Sequence, residues 1–140
     1  MAFIQKSGPA KGEVFNKTAS VAFSLNAVVQ LASGLLTPGT SASTYLVGVT
    51  QRAVTASSPD YALANGLQVV AIHPDSEFEV DVGTGSAVEA THVGNSYDLK
   101  DSVSIDLTAT THKVFTVTKV LSTTKVLGKF NAAYIYRNPS

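Results

Sequence analysis

Apolar and polar residues alternate along several short stretches of this chain, a pattern typical of half-buried β-strands. In the clearest stretch the apolar residues Phe78, Val80 and Val82 alternate with three carboxylates. Because successive side chains of a strand point to opposite faces, this pattern predicts a strand with one buried face and one wet face.

Similar stretches recur along the chain, separated by turn-forming residues at intervals of about ten residues. They predict strands at residues 20–25 with a possible extension to 31, 45–50, 67–72, 103–107, 114–121, 126–130 and 133–136, with a single helical turn at 60–65 and a return segment at 88–95. No stretch predicts a helix longer than two turns. The eight to ten short strands indicate an all-β fold, a single antiparallel β-barrel or sandwich of β-tulip type.

The first residues show no sustained period. Phe3, Ile4 and Phe15 stand among polar residues, while Gly8 and Pro9 oppose a helix. We therefore assign residues 1–19 to an extended N-terminal arm and residues 20–140 to the barrel or sandwich domain. The isolated apolar residues of the arm are candidate anchors into a neighbouring subunit. The alternative is a tail whose first strand joins the domain's own sheet.

The composition fits one domain with few charges. A chain of 140 residues buries roughly two-thirds of its unfolded surface. Cysteine is absent, which removes thiol chemistry and disulfides and is compatible with a reducing cytosol. Charged residues make up 14% of the chain, against about 25% in average domains, so the surface suits burial against partners. The apolar stretches are shorter than the roughly 20 residues of a membrane span, and we expect no membrane segment and no secretory signal.

The neutral total charge conceals a sorted distribution. Nine of the ten acidic residues lie between Asp60 and Asp106, and nine of the ten basic residues lie outside that window. If the segments form separate faces, the basic surface of one copy is complementary to the acidic surface of another. If strands from the segments interleave, the charge is spread evenly instead.

No residue pattern in the chain specifies a reaction. The histidines His73, His92 and His112 are scattered without metal-ligand spacing, and the serines form no nucleophile elbow. We predict no catalytic residues, no cofactor, no metal and, because the net charge is zero, no nucleic-acid partner. Tyr134 and Tyr136 share a predicted strand face and are the candidate carbohydrate platform.

The carboxylates of residues 75–81 are the remaining candidate site. Oxygen ligands at alternate positions suit a hard cation such as calcium. Alternate side chains on a straight strand stand roughly 6.5 Å apart, however, and do not converge on one ion. An acidic edge that faces solvent or a partner is the better interpretation, and its charge also opposes uncontrolled edge pairing.

Several segments together resemble the small β-rich decoration, or cement, proteins that coat the capsids of tailed bacteriophages. They are the turn and strand at 34–40 and 46–49, the segments 93–99 and 103–106, and the closing strands 114–117 and 125–130. These segments have the style of the family and are not diagnostic motifs.

The resemblance implies a compact β-barrel, often a homotrimer, that sits where capsid subunits meet and clamps them with extended arms. The implied function is a structural virion protein, made in the host cytoplasm, that binds the major capsid protein on the outer capsid surface and stabilises the mature head. The alternative is a receptor- or glycan-binding module of a phage fibre or adhesin. Our candidate contacts with the capsid or another subunit are Phe3, Ile4, Lys6, Lys11, Phe15, Glu77, Glu79 and Asp81.

Overall fold

A computed structural model describes residues 3–43 and 45–135. Across these two ranges the chain forms eleven strands, one short helix and one 3-10 helix. The strands are β1 (Ile4–Ser7), β2 (Lys11–Asn16), β3 (Val28–Ala32), β4 (Leu35–Pro38), β5 (Leu46–Thr50), β6 (Gly66–Ala71), β7 (Glu77–Thr84), β8 (Ser96–Asp101), β9 (Ser104–Asp106), β10 (Phe115–Ser122) and β11 (Lys125–Phe130). The helix α1 is Glu89–His92 and the 3-10 helix is Ala132–Tyr134. The predicted all-β fold is confirmed.

The second half of the chain closes into a five-stranded barrel. Its strands pair in the order β7, β11, β10, β8 and β9, and the circle closes because β9 pairs in parallel with β7. β1 pairs antiparallel with the first part of β7. Inside, the rings of Phe3, Phe78, Phe115 and Phe130 pack with centroid separations of 5.1–5.9 Å. Aromatic pairs at this range add to the stabilisation from their buried area.

The first half of the chain forms a separate five-stranded sheet, ordered β2, β6, β5, β3 and β4. An isolated bridge between Lys17 and Leu36 connects the end of β2 to β4. A second apolar cluster, which includes Phe23, Leu36 and Leu67, packs on this sheet. All five residues of β5 are buried, because Leu46 contacts the barrel core and Val47 contacts the second cluster. β5 therefore joins the two halves.

The extended arm at residues 1–19 is not confirmed. Within the described part of it, β1 pairs with β7 of the barrel and β2 pairs with β6 of the other sheet. Phe3 is 1% exposed in the barrel core, and Phe15 packs against the second cluster. The segment stays with its own domain because both strands find hydrogen-bond partners there and both rings find apolar surroundings. Met1 and Ala2 lie outside the described residues.

Two predicted strands, at residues 20–25 and 133–136, and the return segment at 88–95 differ from the observed elements. Residues 20–25 make only one isolated bridge, between Phe23 and Val54, because Ser20 and Asn26 take positive φ angles that turn the chain at both ends. Residues 88–95 contain α1 in place of an extended segment. The closing segment forms a 3-10 helix up to Tyr134, and Tyr136 lies outside the described residues.

The alternation at residues 77–82 is confirmed as the first part of β7. Phe78 and Val80 are buried in the barrel core, while Glu77, Glu79 and Asp81 point outward. The strands predicted at 45–50, 67–72, 114–121 and 126–130 correspond to β5, β6, β10 and β11. The strand predicted at 103–107 is shorter, since β9 covers only Ser104–Asp106.

Candidate functional site

The acidic face of β7 is paired with the chain's own lysines. Glu79 lies 3.7 Å from the Nζ atom of Lys6 and 4.0 Å from that of Lys125, and Lys125 donates a hydrogen bond of 2.8 Å to Asp81. Glu77 accepts a hydrogen bond from the hydroxyl of Thr118 at 2.8 Å. The lysines reach these carboxylates because β1 and β11 flank β7 in the barrel. At this sheet the strands of opposite charge interleave.

The other candidate contacts are divided between the interior and the surface. Phe3 and Phe15 contact the chain's own clusters, and Ile4 is half-buried on β1. Lys6 and Lys11 are exposed, and Lys11 lies 3.8 Å from Glu13 of the same strand. The structure thus brings Lys6, Glu79 and Asp81 together on one outer face, and it leaves Lys11 on the other sheet.

A buried lysine closes the turn that precedes β6. Lys17 is 0% exposed, and its Nζ atom donates hydrogen bonds to the carbonyl oxygens of Asp60 at 2.7 Å and Leu63 at 2.5 Å. The Asp60 carboxylate in turn binds Arg52 through two contacts, the shorter 2.5 Å. The side-chain hydrogen bond from Arg52 holds the pKa of Asp60 below its usual value.

A buried carboxylate fixes the loop between β9 and β10. Asp98 on β8 is 4% exposed, and its Oδ1 atom accepts hydrogen bonds from the backbone N–H groups of His112 at 2.7 Å and Lys113 at 2.8 Å. Burial raises the pKa of the Asp98 carboxyl. The hydrogen bonds from Lys113 and His112 lower it more, so that its pKa lies below the usual value.

A polar groove of about 510 Å³ lies beside this loop. Its lining residues come from α1, the start of β8 and the loop before β10: Thr91, Gly94, Asn95, Ser96, Tyr97, Thr110 and Lys113. Most of the lining side chains are hydroxyls or amides, and Lys113 supplies the single formal charge. The groove is therefore suited to ligands that make many hydrogen bonds.

The walls of the groove are held by hydrogen bonds between side chains. The hydroxyl groups of Ser96 and Thr116 form a hydrogen bond of 2.6 Å. The Thr116 hydroxyl also donates a hydrogen bond of 2.6 Å to the Oδ1 atom of Asn131. The amide nitrogen of Asn131 donates to the carbonyl oxygen of Lys113 at 2.6 Å. The amide nitrogen of Asn95 donates to the carbonyl oxygen of Thr91 at 2.7 Å. A ligand would meet a surface that is already ordered.

The groove lies away from the predicted carbohydrate platform of Tyr134 and Tyr136. Tyr134 is half-buried against the barrel core, and Tyr136 lies outside the described residues. The groove combines residues from α1 to β10, which no local spacing brings together. Its one indication in the sequence is the Thr-rich segment at residues 108–111, shortly before Lys113.

The described residues hold neither a candidate metal cluster nor a membrane-spanning helix. Residues 3–43 and 45–135 contain no group of three or more His, Cys, Asp or Glu side chains placed to hold a metal ion. None of the helices in this part of the chain is long and apolar enough to cross a membrane. No protein-family model matches the sequence, and no curated protein matches it.

Proposed function

We propose that this chain is a structural protein of a tailed-bacteriophage virion, which binds the major capsid protein on the outside of the head and stabilises the mature shell. The observation that carries the proposal is the closed β-barrel, the architecture that the resemblance to decoration proteins implies. Binding to the intact lattice and not to its disrupted form stabilises the lattice by mass action.

The described surface supports contact with a partner. Several large apolar side chains are exposed, and the most exposed of them is Val14, at 65%. Val14 lies on β2, which pairs along its length with β6 on one side. On the other side, β2 is connected to β4 only past its end, by the bridge between Lys17 and Leu36. An unpaired strand edge next to an exposed apolar side chain is a template for pairing with another chain. We place the capsid contact on β2.

Assembly as a homotrimer belongs to the same proposal. Three copies that each offer one β2 contact would bind the lattice with an avidity well above that of one copy. Sedimentation equilibrium of the purified chain tests this directly. We expect a mass three times the 14.6 kDa of the chain, and a mass of one chain at micromolar concentration would contradict the trimer.

Co-sedimentation with mature, DNA-filled heads of the source phage tests the capsid proposal. We expect saturable binding of the full chain, and absence of binding to these heads would overturn the function. The variant Val14→Glu is expected to bind about tenfold more weakly or worse, since it places a charge in the contact. Leu25→Glu is the matched control, because Leu25 is 50% exposed but lies outside the strands. If both variants bind heads as tightly as the wild type does, the capsid contact does not lie on β2.

The second candidate function is a receptor- or glycan-binding module of a phage fibre or adhesin. The polar groove beside Lys113 is the observation that favours it. This alternative predicts binding to cell-surface saccharides without affinity for heads. The head-binding experiment therefore separates the two functions.

A further inference from the structure

Lys113 has a backbone conformation that lysine rarely adopts. Its φ angle is +57°, in the left-handed region that residues with a long side chain rarely adopt. The other described non-glycine residues with positive φ are Ser20, Asn26 and Ser33, which are small polar residues. A strained residue persists only when its surroundings fix it, and such residues concentrate at functional sites.

Both backbone polar groups of Lys113 are fixed by side chains. Asp98 accepts its N–H at 2.8 Å, and the amide of Asn131 donates to its carbonyl oxygen at 2.6 Å. These two contacts come from strand β8 and from the residue after β11. The strained conformation is therefore held by the barrel itself, and it places the lysine side chain in the groove wall.

The ammonium group of Lys113 has no counter-ion within the described residues. Lys6, Lys11, Arg52 and Lys125 each lie within 4.0 Å of a carboxylate, whereas Lys113, like the exposed Lys119 on β10, does not. The other groove side chains, such as Thr91, Asn95 and Thr110, are neutral and exposed. The groove thus presents hydroxyl and amide groups next to one available cation.

We infer that this groove binds an oligosaccharide that carries a carboxylate or a sulfate group. The sugar hydroxyls would exchange hydrogen bonds with Thr91, Asn95 and Thr110, and the anionic group would accept a charge-assisted hydrogen bond from Lys113. The inference takes up the groove of the second candidate function and names its ligand class. It is independent of capsid binding, since the groove residues lie on the barrel and β2 belongs to the other sheet.

A saccharide fits the groove better than a nucleic acid does. Single-stranded nucleic acids bind through exposed aromatic rings and several cations along the backbone. The one aromatic lining residue, Tyr97, is 6% exposed, and it already packs edge-on against His92 at a centroid distance of 5.7 Å. One cation and several hydroxyls match a sugar with a single anionic group per unit.

Isothermal titration of the full chain with four probes tests the inference. The probes are a heparin-derived hexasaccharide, a hexamer of galacturonic acid, neutral maltohexaose and inorganic sulfate. We expect at least one acidic hexasaccharide to bind at least tenfold more tightly than maltohexaose and sulfate, with an affinity that falls as salt is raised. Binding of neither acidic probe at millimolar concentration would overturn the inference, and so would equal binding of sulfate alone.

Two variants test whether Lys113 is the residue that binds the anionic group. Lys113→Gly removes the cation, and it is expected to fold at least as well as the wild type because glycine adopts positive φ without strain. It should lose about tenfold in affinity for the acidic hexasaccharide, the effect of one charge-assisted hydrogen bond. Lys119→Ala, an exposed lysine on β10 away from the groove, should bind as the wild type does. Unchanged binding by Lys113→Gly would refute the site. Head binding by both variants should equal that of the wild type, which keeps this test separate from the capsid proposal.

Discussion

The Nζ atom of Lys17 lies 2.7 Å from the carbonyl oxygen of Asp60, a residue 43 positions later in the chain. The same amine reaches the carbonyl oxygen of Leu63, and the Asp60 side chain pairs with Arg52. One turn is therefore held from two directions. A fully buried ammonium group is tolerated here because its hydrogen bonds replace part of its lost hydration.

Replacement of Lys17 by methionine should destabilise the protein. Met fills a similar volume, but it leaves the carbonyl oxygens of Asp60 and Leu63 without their donor, at a cost of about 1–3 kcal/mol. Urea unfolding followed by circular dichroism measures the loss. Lys11→Met is the matched control, because the Lys11 side chain is 79% exposed, and it should change the free energy of unfolding by less than about 0.5 kcal/mol. Equal effects of the two variants would refute the role of Lys17.

Acid should weaken the fold partly through Asp98. Its pKa is lower in the folded state than in the unfolded chain, so the ionised carboxylate contributes stability above the unfolded pKa of about 3.9. That contribution is lost as the pH falls through the folded pKa, because the protonated acid binds the N–H groups of His112 and Lys113 less well. The free energy of unfolding, measured from pH 7 down to pH 2, should begin to decrease once the pH is below about 4.

The variant Asp98→Asn isolates this contribution. It should lower the free energy of unfolding at pH 7 by about 1–3 kcal/mol and flatten the acid limb of the profile. Part of the slope should remain, because Arg52 also lowers the pKa of Asp60. If the unfolding free energy of the variant decreases with falling pH as steeply as that of the wild type, Asp98 is not the cause of the acid sensitivity.

Charge reversal at Glu79 should act on the fold of the chain itself. Glu79→Lys would place a third cation beside Lys6 and Lys125, which lie 3.7 and 4.0 Å from the present carboxylate. We expect the free energy of unfolding to decrease by about 1 kcal/mol in low salt and by less in 1 M sodium chloride. Thermal unfolding at both salt concentrations measures it. Glu89→Lys is the control, since Glu89 has no lysine or arginine within 4.0 Å among the described residues. An effect independent of salt would contradict an ionic cause.

A methyl group at Gly128 should strain the barrel. A Cβ atom there would overlap the Phe115 ring and the Thr116 carbonyl oxygen on the neighbouring strand. Gly128→Ala should therefore cost about 2–3 kcal/mol in unfolding free energy. Gly12→Ala is the matched strand control, because its Cβ would meet only the side-chain amide of Gln68 at 3.1 Å, and we expect a change within about 0.5 kcal/mol. A tolerated alanine at position 128 would contradict the tight packing.

Local alternation was sufficient to predict strand β7 and its buried residues Phe78 and Val80. It was not sufficient to predict what the outward carboxylates contact. Glu79 lies beside Lys6 and Lys125 because β1 and β11 pair with β7 from distant parts of the chain. Strand order is a long-range property, whereas alternation reports only which face of a strand is buried.

The strand predicted at residues 20–25 shows where alternation misleads. The alternation places Val21, Phe23 and Leu25 on one face. Val21 and Phe23 contact the second apolar cluster, whereas Leu25 is 50% exposed. The backbone around them is turned by positive φ at Ser20 and Asn26. Residue type alone does not determine which serine or asparagine in a chain adopts this conformation, because both also occur with ordinary φ angles.

The groove beside Lys113 could not be predicted from the sequence, because it also depends on contacts between distant parts of the chain. A lysine has no preference for the left-handed region, and only the barrel supplies the Asp98 and Asn131 contacts that hold it there. The same holds for Lys17, whose burial follows from the turn that folds over it. In the sequence, both lysines are recognisable only as basic residues outside the acidic window of residues 60–106.

The position of Phe3 in the barrel core limits when the barrel can fold during synthesis. Phe3 leaves the ribosome more than 100 residues before Phe115 and Phe130, whose rings lie 5.9 and 5.2 Å from it in the fold. Strand β1 likewise waits for β7. Contacts this distant in sequence slow folding and leave the nascent chain without its core. Premature termination before residue 115 should therefore yield fragments that aggregate or are degraded, and the barrel should be completed only once Phe130 has left the ribosome.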